Sequence, residues 1–205
     1  MTATISRLYD NYADARKAVQ NLEAAGVPHS DISIVANNSD NWFGADKKDR
    51  DHDGVDDRAE GAGKGAGIGA GVGGAAGLLA GLGLLAIPGL GPVVATGWLA
   101  STAVGAAAGA ATGGIVGALT EAGISEEDAH SYAEGVRRGG TLVSARVPDA
   151  DRSRLESVLN QSAVNLHDRS AAWQKSGWKT FDPASKPYSA EEVRKERQLY
   201  GGSLG

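Results

Sequence analysis

The chain has no cysteine and no excess of basic residues. Without cysteine there is no disulfide, no thiol nucleophile and no cysteine-based zinc site among its 205 residues, which fits a reducing compartment. The formal net charge of −5 and the lack of a dense basic cluster argue against a nucleic-acid partner. Residues 1–10 lack the basic start and apolar core of a secretory signal, so we expect the globular part of the chain to be cytoplasmic.

Charge is missing altogether from residues 65–120, which are almost all Gly, Ala, Leu, Val and Ile and are long enough to cross a bilayer twice. In and just before this stretch, small residues recur at every fourth position in two series, which are Gly61, Gly65, Gly69, Gly73, Gly77 and Gly81, and then Gly97, Ser101, Gly105, Gly109, Gly113 and Gly117. On a helix this spacing leaves one bare face, against which a second helix can pack closely. The pattern predicts a hairpin of two helices, residues 65–86 and 93–119, joined by a turn at Pro88, Gly89, Gly91 and Pro92.

The predicted hairpin could lie in a lipid bilayer or in the core of an oligomer, and a flexible linker is a third interpretation of the same residues. Large apolar side chains become more frequent towards the turn, which predicts that the hairpin spans a bilayer or enters it as a wedge with the turn deepest. The alternative is a soluble homo-oligomer in which the hairpins form the apolar core. A flexible Gly/Ala-rich linker is disfavoured, because such linkers are rich in serine and lack the Leu-Leu and Val-Val pairs found here.

Residues 37–60 form an acidic stretch. It precedes the hairpin segment, residues 61–120, which contains the two predicted helices and the turn. Its carboxylates fit the D-x-D-x-D-G-x5-E pattern of an EF-hand calcium loop, with candidate ligands at Asp49, Asp51, Asp53, Asp57 and Glu60. Asp56 lies where EF-hands place an apolar residue, and no entering helix is evident, so a solvated acidic spacer is the alternative. We expect weak Ca²⁺ binding at most, with Mg²⁺ as a competitor, and no other cofactor.

Residues 1–36 and 124–168 are predicted to be two halves of one α+β domain. Alternation and turn signals predict strands at residues 4–9, 31–36, 141–147 and 163–167. Asn11 and Ser125 each precede an acid by three residues, which predicts capped helices to Ala25 and Arg138, and a further helix covers residues 150–160. The order βαβ followed by αβαβ predicts a ferredoxin-like sandwich interrupted by the hairpin, with the helix after Ser125 as an addition.

The remaining residues, 169–205, form an aromatic and charged tail. Its spaced Trp and Tyr residues could lie at a lipid headgroup layer or on the protein's own domain, and we favour the domain. A short charged helix is expected at residues 190–198.

Several short motifs resemble one family. They are Ser6-Arg7-Leu8-Tyr9-Asp10, residues 13–18, Leu22, Gly26-Val27, Ile32-Ser33-Ile34-Val35, Gly81-Leu82-Gly83, Gly91-Pro92 and residues 132–140, Tyr-Ala-Glu-Gly-Val-Arg-Arg-Gly-Gly. On these motifs, spread over residues 4–168, the chain resembles the bacterial heat-induced general stress protein family of the YflT type. The resemblance implies a stress-induced protein and carries no catalytic residue with it.

Chemistry-bearing motifs are scarce in the sequence. The four histidines have no metal-ligand spacing, and no G-x-S-x-G or phosphate-loop pattern occurs. We therefore predict no catalytic residue and a non-enzymatic stress protein. It would lie at the cytoplasmic face of the inner membrane, with the bilayer and further copies of itself as partners. The alternative is a cytoplasmic, soluble homo-oligomer that senses a ligand or Ca²⁺.

Overall fold

The computed structural model describes residues 2–43, 82–107 and 114–201. In this part of the chain five strands form one sheet: β1 Thr2–Tyr9, β2 Ile32–Asn37, β3 Gly83–Ile87, β4 Gly91–Thr96 and β5 Thr141–Pro148. The helices in the same residues are α1 Tyr12–Ala24, α2 Trp98–Ala107, α3 Ile115–Glu121, α4 Glu126–Arg137, α5 Arg152–Leu159, α6 Leu166–Lys175 and α7 Ala190–Gly201.

The sheet has the order β1-β5-β2-β4-β3, and every neighbouring pair is antiparallel. Because β1 and β2 both run antiparallel to β5, they are parallel to each other, as a βαβ unit requires, but β5 lies between them. Strands from before and after residues 44–81 thus share one sheet. Within the described ranges, β1 and β3 are the two edges of this sheet.

The helices begin where the sequence predicts caps. The Asn11 side chain accepts a hydrogen bond from the Asp14 amide at the start of α1, and Ser125 accepts one from the Asp128 amide at the start of α4. Gly26, with φ of 96°, ends the first helical segment.

The predicted helical hairpin is wrong on both sides of its turn, although residues 98–107 and 115–119 of the second predicted arm are helical. Residues 83–87 and 91–96 are strands β3 and β4, and the turn between them joins strands instead of helices. Pro88 fixes the first central position of this turn, and Gly89 takes the positive φ of 75° that the second requires. Val93 and Val94 favour an extended chain, and β4 gains backbone pairing with β2 as well as with β3. Helix α2 starts only after Gly97, whose φ is 87°.

The predicted last strand, residues 163–167, is also wrong. Asn165 caps α6 through the Asp168 amide, so the chain turns helical at Leu166. What remains of the expected pairing is one hydrogen bond, in which the Val164 amide donates to the Leu8 carbonyl at 2.8 Å. With that strand absent and β4 and β3 added, the ferredoxin-like topology is not confirmed; the fold is a mixed α and β structure.

Helices cover both faces of the sheet. On one face α1 and α5 pack over Ile5, Ile34 and Val143. On the other, α2, α3, α4 and α6 pack over Leu8, Val35 and Leu142, and the aromatic tail joins them. Trp173 and Phe181 are buried there, which confirms that the tail packs on its own domain.

Candidate functional site

The glycine ladder is divided by the structure. Gly97 lies in the bend before α2, Ser101 and Gly105 lie on α2, and Gly117 lies on α3. Gly61, Gly65, Gly69, Gly73, Gly77, Gly81, Gly109 and Gly113 fall outside the described residues. A single helix over residues 93–119 is wrong, because its first residues are in β4 and Gly114 has a φ of 84°. Helix packing through the remaining ladder stays a prediction.

The turn residues Pro88, Gly89, Gly91 and Pro92 lie between and within β3 and β4. The two prolines are exposed, and the tail packs against the two glycines. A side chain at Gly89 would collide with Phe181 and Pro183, and one at Gly91 would collide with Pro187. These glycines therefore allow close contact with the tail.

The candidate calcium ligands Asp49, Asp51, Asp53, Asp57 and Glu60 also lie outside the described residues. Weak Ca²⁺ binding stays a prediction from the sequence. Within residues 2–43, 82–107 and 114–201, no three His, Asp or Glu side chains form a group that could hold a metal ion.

Among the apolar side chains of the predicted hairpin that the structure describes, most belong to the core of the domain. Those of the second predicted arm that are buried inside the domain are Val93, Val94, Leu99, Ile115, Val116 and Leu119. Burial within the protein already removes their surface from water, the same gain that a bilayer would offer. In the described part of the chain, no helix combines the length and the apolar character needed to cross a membrane.

A buried ionic cluster lies at the end of α4, within the motif that carries the family resemblance. Glu134 is fully buried and accepts hydrogen bonds from Arg138 Nε at 2.6 Å and from Arg137 at 3.2 Å. Arg138 also binds Glu196 on α7 at 2.7 Å. The i,i+3 and i,i+4 spacing of these residues is visible in the sequence, but the burial of Glu134 is not, because the tail creates it.

Aromatic residues of the tail close this cluster. The guanidinium of Arg137 lies 4.6 Å from the centre of the Tyr188 ring, and that of Arg138 lies 5.1 Å from the Trp173 ring. Burial lowers the pKa of Arg138, but its hydrogen bond and charge interaction with Glu134 outweigh burial and raise that pKa above its ordinary value. The charged groups of the cluster are paired with each other and with the tail. We call this cluster the clamp, because it holds the tail against α4.

The outer side of β1 is a more open feature. The Ser6 carbonyl accepts a hydrogen bond from the Tyr132 hydroxyl at 2.6 Å, and the Leu8 carbonyl accepts the Val164 amide. Both carbonyls therefore point away from β5. In an antiparallel strand the amide and carbonyl of one residue point the same way, so those of Thr2 and Thr4 point outward too. Among the described residues, no backbone group pairs with them.

A groove of about 490 Å³ runs along this edge, and we call it the edge groove. Its floor is residues 2–7 of β1. One wall is residues 122–125 with Asp128 and Tyr132, and the other is Arg152 and Glu156 of α5. Burial raises the pKa of Tyr132, which keeps its hydroxyl protonated and able to donate to Ser6. The groove thus combines unpaired backbone groups with polar walls.

The opposite edge, β3, has no charged residue along its length. Leu84 on this strand is 44% exposed, one of three large apolar residues exposed in the described chain. Natural sheets usually protect an edge with charge, proline or a bulge. β3 is therefore suited to pair with another strand. Neither edge can be predicted from the sequence, since an edge is defined by which strands are absent beside it.

The chain was compared with known protein families, curated proteins and solved structures. The family model described as the heat induced stress protein YflT domain matches residues 4–82. This confirms the family resemblance over those residues and indicates a role in the stress response. No curated protein and no solved structure matches the chain.

Proposed function

We propose that this chain, whose residues 4–82 carry the heat-induced stress protein YflT domain, serves the stress response without catalysing a reaction and acts by pairing with copies of itself. The observation that carries the proposal is the uncharged outer edge of β3 with its exposed Leu84. Self-association was expected from the glycine ladder; the described residues favour a sheet edge instead.

Pairing at β3 satisfies two needs of that strand. Its outer amides and carbonyls, which no other described strand pairs with, would gain hydrogen bonds, and Leu84 would leave water on contact with the second copy. Two identical edges can meet antiparallel about a twofold axis, which makes the contact self-complementary. A second copy of the chain can therefore provide the strand that pairs with β3.

Attachment to the cytoplasmic face of a membrane is a separate proposal. It rests on the apolar residues between Gly61 and Gly81 and on the rest of the glycine ladder. Washing a membrane fraction with carbonate tests it: a chain that stays with the membrane supports insertion, and a chain released entirely to the supernatant points to the cytoplasmic alternative.

Replacing Leu84 with Lys tests the pairing at β3. Lysine places a charge on the edge, where two copies would bring like charges together. We expect the wild-type chain to sediment as a dimer or larger in detergent-free buffer, and Leu84→Lys to lower its average mass by about half, the result of losing one twofold contact.

Leu199→Lys is the matched control, because Leu199 is 67% exposed but lies on α7. It should leave the mass of the wild-type assembly unchanged. A wild-type chain that is monomeric at all concentrations, or a Leu84→Lys chain with the wild-type mass, would refute pairing at β3.

A further inference from the structure

We propose that the contact at β3 has a single register, in which the β3 strands of two copies pair antiparallel about Leu85. This inference rests on the self-association proposed above. It adds which atoms of the two copies meet and which residue lies at the centre of the contact. Two observations carry it: the direction of the backbone groups on β3 and the alternation of its side chains.

A hydrogen bond beyond the end of β2 shows which way the backbone of β4 points. The Asn38 amide donates to the Pro92 carbonyl at 2.9 Å, so the backbone of Pro92 faces the side of β2. Pro92 lies opposite Ala86 in the pairing of β4 with β3. In an antiparallel pair, two opposed residues either both face each other with their backbone groups or both face away. The amide and carbonyl of Ala86 therefore point away from β4.

The outer edge of β3 thus presents the backbone groups of Ala86 and, two residues earlier, those of Leu84. The intervening direction is confirmed at Ile87, whose carbonyl accepts the Leu90 amide of the turn at 3.1 Å and so points inward. In the part of the chain that the structure describes, β4 is the one strand beside β3, and no hydrogen bond outside their ladder uses the backbone of Leu84 or Ala86. These groups are free to pair with a second strand.

A twofold axis at Leu85 pairs the whole of β3. Leu85 then lies opposite Leu85 of the second copy, Leu84 lies opposite Ala86, and Gly83 lies opposite Ile87. Because the two outward residues are equally far from this axis, each can exchange both of its backbone hydrogen bonds with its counterpart. An axis at Leu84 or at Ala86 would place part of β3 opposite residues outside the strand.

The side chains of β3 suit the same axis. Leu85 is partly buried and packs against the core on the face that carries α2, α3, α4 and α6. At the axis it forms a non-hydrogen-bonded pair, in which the Cα atoms are about 4.5 Å apart and the side chains touch. Leu84 and Ala86 are exposed on the other face, where a large residue of one copy would lie beside a small residue of the other. Pairing therefore joins the two cores through Leu85.

The chain has no cysteine, so a single introduced cysteine can report the register by forming a disulfide between copies. Leu85→Cys places two thiols across the axis, at a Cα separation that a disulfide can span. Leu84→Cys or Ala86→Cys places them on diagonal neighbours about 7–8 Å apart, which a disulfide does not bridge without movement of the backbone. Leu199→Cys is the control for random collision, because Leu199 is 67% exposed on α7.

During oxidation by air with a copper catalyst, we expect the Leu85→Cys chain to form disulfide dimers at least about tenfold faster than the Leu199→Cys chain, since pairing raises the effective concentration of the thiols. Leu84→Cys and Ala86→Cys should link more slowly than Leu85→Cys. Adding Leu84→Lys to the Leu85→Cys chain should remove its advantage. A Leu85→Cys chain that links no faster than Leu199→Cys, or no faster than either neighbour, would overturn the register.

A mixture keeps the test decisive if Leu85→Cys disturbs the core. Residues 84 and 86 are exposed, and in the proposed register residue 84 of one copy lies opposite residue 86 of the other, with Cα atoms about 5.5 Å apart. In an equal mixture of Leu84→Cys and Ala86→Cys chains, we expect mass spectrometry to show more mixed dimers than random pairing gives. A share of mixed dimers at or below the random value would overturn the axis at Leu85.

Sedimentation of the same chains separates the register from the self-association on which it rests. A wild-type chain that dimerises and loses mass with Leu84→Lys, but whose cysteine variants fail these tests, keeps the pairing at β3 and rejects the axis at Leu85. A wild-type chain that is monomeric at all concentrations rejects both.

Discussion

Two buried tyrosines tie the secondary elements to each other through single hydroxyl groups. Tyr9 donates to the Leu159 carbonyl at the end of α5, and Tyr132 on α4 donates to Ser6, each at 2.6 Å. Burial raises the pKa of both phenols above the ordinary value of 10.0. Neither bond could be predicted from the sequence, because each joins residues more than a hundred positions apart.

These tyrosines predict a loss of stability in alkaline solution. Above about pH 10 the unfolded chain releases its phenolic protons while the folded chain holds them, so the free energy of unfolding should fall as pH rises. The slope should approach 1.4 kcal/mol per pH unit for each phenol, on the order given by proton linkage. Urea unfolding at a series of pH values from 8 to 11 measures it.

Tyr132→Phe provides the comparison for this pH series. It should lower the stability at pH 8 by about 1 kcal/mol through the lost hydrogen bond and then decline less steeply than the wild type above pH 10. A mutant with the same alkaline slope as the wild type would show that Tyr132 does not contribute as described.

At the scale of elements, the sequence predicts what local signals decide. The caps at Asn11 and Ser125 and the strands β1, β2 and β5 all follow from short patterns. Residues 83–96 were predicted wrongly because the glycine spacing suits a helix, whereas Val93 and Val94 gain their stability from β2, which is distant in sequence. The Pro88-Gly89 pair between Ile87 and Leu90 is a signal for a turn between two strands. The helical spacing of the glycines led to the helical prediction in spite of it.

The clamp around Glu134 holds the tail against α4, so we expect Glu134→Gln to weaken the packing of the tail on the domain. The change leaves Arg137 and Arg138 partly buried without their shared carboxylate, at a cost on the order of 3 kcal/mol. We expect that loss in urea unfolding, together with faster tryptic cleavage at Lys175, Lys179 and Lys186.

Glu126→Gln on the same helix is the control for the clamp, because the side chain of Glu126 is 81% exposed. It should cost less than about 1 kcal/mol and leave the cleavage rates unchanged. Equal losses for the two substitutions would contradict a clamp centred on Glu134.

At the scale of the whole molecule, the described residues form one sheet whose β3 edge has no charged residue. A twofold contact at β3 would join the sheets of two copies into one. This contact does not involve the apolar residues within 93–119, which are largely buried in the core where the structure describes them. It depends on strand order, which no single stretch of sequence reveals.

Hydrogen exchange of the wild-type chain at increasing protein concentration tests this assembly most directly. Pairing at β3 predicts that amides in residues 83–87 become more protected as concentration rises, while those of the exposed face of α1 do not change. Exchange in residues 83–87 that stays the same from the lowest to the highest concentration would contradict self-association through the sheet.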